Sequence, residues 1–133
     1  MFTLNGAAIS YASKSQATVA GSTQEAEYQA QSAATREALW LRKVAQSLGV
    51  TASPVKIYTD NMAALALSND SVESSRAKHF DIMHHMVKER VARGEVKFQY
   101  LSTEDMTADI LTKALPEAKM TTFRSALGIF HCL

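Results

Sequence analysis

A layered α/β domain is the fold class this sequence predicts, and three observations predict it. The runs "VKIYT" (Val55–Thr59) and "EVKFQYLS" (Glu95–Ser102) are short and rich in β-branched or alternating apolar residues, as strands are. Long segments with apolar residues at steps of three and four stand around them, as helices do. Asn5-Gly6 sits between two short apolar runs, the sequence sign of a two-residue hairpin. Strands interleaved with covering helices pack as layers.

The elements follow in order. "MFTLNGAAISYAS" gives the hairpin. "KSQATVAGS" is a connection, with Thr18–Ala20 extended. "STQEAEYQAQSAATREALWLRKVAQSLG" predicts one long helix. Ser22 with Glu25 fits a capping box at its start, and Gly49 fits a C-terminal stop. Ala30, Ala34, Ala38, Leu41, Ala45 and Leu48 line one face, which predicts close packing on a sheet. After Pro54 comes the strand "VKIYT", and then a short helix "NMAALALSN" ended by Asn69. "DSVESSRAK" is a polar loop. "HFDIMHHMVKERVARG" predicts a second long helix, with Ile82, Met86, Val87 and Val91 inward and Gly94 as terminator. Val96, Phe98 and Tyr100 alternate with Lys97 and Gln99 in a half-buried strand. "TEDMTADILTKAL" predicts a helix capped by Thr103 or Asp105, and Pro116 opens a last amphipathic helix closed by Gly128.

Composition narrows the function. A chain of 133 residues supports one modest core. Lys and Arg number 14 against 13 Asp and Glu, so no bulk charge signals a nucleic-acid partner, although a local basic patch fits. Cys132 is the single cysteine, which rules out an intrachain disulfide and suits a reducing, intracellular compartment, cytoplasmic or nuclear. The N-terminus lacks the basic and apolar regions of a signal peptide. No apolar run is long enough to span a bilayer.

Three acids are oddly placed. Glu27 lies near the apolar face of the first long helix, Asp60 ends the "VKIYT" strand, and Asp109 sits between Ala108 and Ile110. Acids beside apolar stripes are the informative ones, because carboxylates normally stay on the wet side. Clustered carboxylates repel one another unless a hard cation offsets them. Mg²⁺ takes oxygen ligands and keeps part of its water. Two such ions can activate a water and steady the leaving oxygen of a phosphodiester. These acids are far apart in sequence, so only a fold can bring them together. Read alone, Asp60 also suits a helix cap, since Asp is favoured there, and Glu27 and Asp109 are ordinary surface acids.

Four phrases, "STQEAEYQAQSAATREALWLRKV", "VKIYTDNMAALAL", "RAKHFDIMHHMVKERVARGEV" and "FQYLSTEDMTADILTKALP", resemble the ribonuclease H domain of copia-type retrotransposon Pol polyproteins. They occur in the family's order and spacing, and the resemblance runs from Met1 to about Gly128, leaving 129–133 as a tail. It implies a ribonuclease H-like mixed sheet of five strands flanked by helices. It also implies cleavage of the RNA strand of an RNA–DNA hybrid by two Mg²⁺ ions held by four acids. By motif, Glu27, Asp60 and Asp109 match three of them, as catalytic residues and metal ligands. The fourth family acid lies on a first, central strand ahead of the hairpin. Here no acid precedes Glu25. The expectation is a partial domain of a longer polyprotein, continuous with an upstream reverse transcriptase segment, or a decayed element. As a nuclease it is then poor or inactive alone. A non-catalytic nucleic-acid-binding or interaction remnant of the same scaffold is the alternative.

Other groups have plainer readings. His79, Asp81, His84 and His85 invite zinc, but no cysteine or second pair completes a site. Met83 and Met86 read as core filler. Lys78, Lys88, Arg90 and Arg93 form either a basic face toward phosphates or a solvated face interleaved with Glu89. Trp40 is read as wedged between helix and sheet, with a stacking platform as the second option.

Overall fold

The computed structural model describes residues 1–13, 23–50, 53–62, 65 and 78–130. The expected Thr18–Ala20 segment, the Ser22–Glu25 capping box, most of the "NMAALALSN" helix and the polar loop after it lie outside the described residues. The chain divides into two compact units, one of Met1–Ser15 with Ser102–Leu133, the other of Gln16–Leu101. The described strands form two separate two-stranded sheets, one antiparallel and one parallel. The architecture is mixed α/β.

In the first unit, β1 (Phe2–Leu4) and β2 (Ala7–Ser10) pair antiparallel. The turn is the expected one. Asn5 and Gly6 both take positive φ, 51° and 79°, as a type I′ turn demands, and Asn and Gly tolerate this best.

The segment after Ser102 departs from the expected helix. Residues 103–105 form a turn, and only Thr107–Leu111 are helical, as a 3₁₀ helix. Neither Thr103 nor Asp105 caps it; Met106 stands at the cap position with no side-chain bond. Two local causes explain the change. The Ser102 hydroxyl accepts from the Glu104 N–H at 3.3 Å and the Ser102 carbonyl from the Asp105 N–H at 2.9 Å, which commits the chain to a turn. Pro116 then disfavours helix at Leu115, so too few residues remain for α-helical nucleation. The last helix, here called α3 (Glu117–Ala126), packs on the 3₁₀ helix and buries Phe123. Lys119 Nζ reaches back to the Thr103 carbonyl at 3.1 Å and pins the turn.

The second unit holds α1 (Thr23–Ser47), β3 (Val55–Thr59), α2 (Lys78–Ala92) and β4 (Val96–Tyr100). β3 and β4 run parallel, with Ile57 opposite Phe98 and Lys56 opposite Lys97. Alternation puts Ile57, Val96 and Phe98 on one face, where all three are buried. α1 and α2 pack against each other, and α1 also packs on both strands. α2 ends as expected: Gly94 takes φ 66°, and its N–H donates to the Val91 carbonyl while that of Glu95 donates to Arg90. Val87 is its buried residue, with Met86 and Val91 half-buried; the side chain of Ile82 lies outside the described residues.

α1 buries a face that only partly follows the alanine line. Ala38 is buried and Ala34, Leu41 and Ala45 are half-buried, but Ala30 and Leu48 are exposed, and Gln31, Ser32 and Thr35 join Ala38 in the interior. Alanines bury little area, so an alanine stripe exerts weak control over helix rotation. Thr35 enters the interior because its hydroxyl donates to the Gln31 carbonyl at 2.8 Å. Trp40 is not wedged: it is 58% exposed. Tyr100, also expected inward, is exposed at the strand's end.

One charge cluster ties three elements. Glu95 stands 3.0 Å from Arg90 and 3.8 Å from Arg42, all three being mostly shielded from water. Glu95→Gln removes the shared negative charge and leaves two guanidiniums side by side. The expected loss of unfolding free energy is about 1–3 kcal/mol, read as a lower urea midpoint at unchanged slope. An unshifted midpoint would mean the three charges act independently.

Tyr28 meets His84 edge to face, with ring centroids 5.4 Å apart, and joins α1 to α2. Burial raises the Tyr28 hydroxyl pKa above the ordinary 10.0. The unfolded chain therefore ionises first. The stabilisation is complete below pH 10.0 and is lost as pH climbs toward the raised native value. Comparing Tyr28→Phe with the parent chain by thermal unfolding should show a shallower decline above that pH in the variant. Parallel declines would contradict the assignment.

Candidate active site

The three singled-out acids come from three different elements. Glu27 lies in the second turn of α1 and is half-buried. Asp60 follows the last residue of β3 and is exposed. There the chain bends: the Asn61 N–H donates to Thr59 Oγ1 at 3.2 Å, and the Leu65 N–H donates to the Asn61 carbonyl at 3.0 Å, opening a helical turn. An Asp60 cap would serve the N–H of Met62 or of residue 63, and the latter lies outside the described residues. Glu27 and Asp60 belong to the same compact unit, in which α1 packs on β3.

Asp109 belongs to the other unit and is the most enclosed of the three, 7% exposed. The 3₁₀ helix that carries it turns its carboxylate onto Lys113, with Oδ2 2.9 Å from Nζ. Lys113 was not singled out from the sequence. Its signal was present in "ADILTK", where an acid and a lysine four residues apart share one helix face.

Among the described residues, no three His, Cys, Asp or Glu side chains gather into a group able to hold a metal ion. The three acids are the right donors in kind for Mg²⁺, which takes hard oxygen ligands; Glu27 and Asp60 lie in one unit and Asp109 in the other. Of the histidine group, His84 and His85 have ring centroids 6.5 Å apart, and the side chains of His79 and Asp81 lie outside the described residues.

The basic face of α2 is largely neutralised. Arg90 is held by Glu95, and Arg93 pairs with Glu89 one turn away. This favours a solvated, internally paired face over a phosphate-binding one. The side chain of Lys78 lies outside the described residues. No described helix is long and apolar enough to cross a membrane.

No family model matches the chain, and no solved structure matches it. Curated proteins do. The chain is 37% identical over 129 residues to the retrovirus-related Pol polyprotein from transposon TNT 1-94 of Nicotiana tabacum, which covers 97% of the chain and 10% of that protein. It is 35% identical over 122 residues to the retrovirus-related Pol polyprotein from transposon RE1 of Arabidopsis thaliana, and 34% identical over 122 residues to that from transposon RE2. Each of the latter covers 91% of the chain and 8% of the relative. The chain spans about one tenth or less of the length of these relatives. Along nearly its whole length, it is homologous to a segment of the retrovirus-related Pol polyproteins of plant transposons.

Proposed function

We propose that this chain is part of a ribonuclease H-like domain of a retrotransposon Pol polyprotein. The complete domain hydrolyses the RNA strand of an RNA–DNA hybrid and depends on Mg²⁺. The observation that carries the reading is the near-full-length similarity to Pol polyproteins, in a chain whose four motif phrases keep the order of that domain. The mixed α/β architecture and an acid just past the end of a parallel strand are compatible with it.

Glu27, Asp60 and Asp109 are the residues proposed to hold Mg²⁺. Because the motifs match three of the domain's four acids, the chain alone is proposed to be a poor nuclease. The proposal adds a fourth acid, supplied on a strand from the reverse transcriptase side of the polyprotein. Hybrid recognition would rest on backbone shape and 2′-hydroxyls, without base-specific contacts. The commitment of Asp109 to Lys113 favours a second reading, a non-catalytic nucleic-acid-binding or interaction remnant.

Cleavage of an end-labelled RNA–DNA hybrid, with and without Mg²⁺, separates the two. The 133-residue chain alone should give background cleavage. A longer polyprotein segment carrying the upstream sequence should turn over, and Asp60→Asn within it should cut the rate about 100-fold or more. Strong turnover by the chain alone would refute its incompleteness. Full activity of the Asp60→Asn segment would refute the role of Asp60. No turnover by the longer segment would leave the non-catalytic reading standing.

A further inference from the structure

α1 turns an unusual surface outward in its C-terminal half. Trp40 is 58% exposed, leaving much of the chain's largest aromatic side chain in water. Arg36 lies four residues before it and Lys43 three after, so helix periodicity sets both cations beside the ring. Both are exposed. Neither takes part in the ion pairs among the described residues, where Glu95, Glu89, Asp109 and Glu104 are matched to other cations.

An exposed aromatic ring flanked by two exposed cations that pair with no described acid, with the half-buried and already engaged Glu37 also beside it, fits an anionic ligand with a flat apolar part. Single-stranded nucleic acid has both, a base to stack and phosphates on either side. The seven steps from Arg36 to Lys43 rise about 10 Å along the helix, a span that long side chains bridge to phosphates flanking one stacked base. Val44 and Leu48 continue an exposed apolar line toward the helix end, which by itself would suit a protein partner. The two exposed cations beside the ring favour a polyanion, which phosphates on either side of a stacked base supply.

The geometry points to a single-stranded nucleic-acid contact on α1, with Trp40 as the stacking platform and Arg36 and Lys43 as its phosphate contacts. It requires neither a metal ion nor Glu27, Asp60 and Asp109, so it stands or falls apart from the nuclease reading.

Trp40 is the only tryptophan, and its fluorescence therefore reports on the site directly. Titrating the full chain with an oligothymidylate of about 12 nucleotides should quench the emission in a saturable, salt-dependent way. The Arg36→Gln/Lys43→Gln variant should lower the slope of log affinity against log salt by about 1.4. Trp40→Ala should weaken binding of a fluorescein-labelled oligonucleotide about 5- to 150-fold by anisotropy. Circular dichroism confirms that each variant keeps its helix content. If Trp40→Ala loses it, the charge variant carries the test. Three results would overturn the proposal. The first is no quenching, and the second is equal quenching by inorganic polyphosphate. The third is a blue shift that follows protein concentration without oligonucleotide, which would assign the stripe to a protein contact.

Discussion

The parallel ladder between β3 and β4 constrains everything around it in the second unit. Parallel neighbours cannot be joined by a tight turn, so the chain must leave the end of β3, cross over, and return to start β4 in the same direction. α2 is the described part of that crossover. The register then fixes the faces. With Ile57 opposite Phe98, one side of the pair is apolar and buried, and Lys56 and Lys97 are left on the other. A slip of one residue would exchange those faces. α1 and α2 lie where the apolar face needs cover, and Glu95, at the mouth of β4, binds an arginine from each.

The same ladder positions chemistry. A strand that ends at Thr59 leaves Asp60 at the carboxyl end of a parallel sheet, where open α/β sheets commonly bind ligands. Glu27 reaches the same unit through α1. Asp109 is handled differently, because its enclosure makes an unpaired charge costly and Lys113 offsets it from one turn away. A carboxylate committed to a lysine is a stable resting arrangement. A cation arriving at Asp109 would meet a partner already in place.

Much of this was legible in the sequence wherever one local rule dominated. Asn5-Gly6 forms the expected hairpin because few other residue pairs accept two positive φ angles in succession. Gly94 stops α2, and the alternation of Val96 and Phe98 gives the buried side of β4. Rules of composition failed where tertiary packing competes with a weak local signal. The alanine line on α1 placed Ala38 correctly but could not fix the helix's rotation finely enough to show that Gln31, Ser32 and Thr35 are buried and Ala30 exposed. Trp40 was placed inside by residue type alone, yet it lies on the far side of that rotation. "TADILTK" has helical periodicity, but the Ser102 turn and Pro116 leave it room only for a 3₁₀ helix. Of the candidate site, the residue types were readable, whereas the Asp109–Lys113 pairing needed the coordinates.

The most direct measurement is amide hydrogen exchange by NMR across the strand pair, combined with side-chain contacts. The Val55 N–H donates to the Glu95 carbonyl and the Leu101 N–H to the Thr59 carbonyl, each at 3.0 Å, bracketing the ladder at both ends. Both amides should exchange slowly, and Ile57 should show a through-space contact to Phe98. Exchange of both at the rate of an unstructured peptide, or a contact from Tyr58 to Phe98 in its place, would contradict the register from which the rest of the account is built.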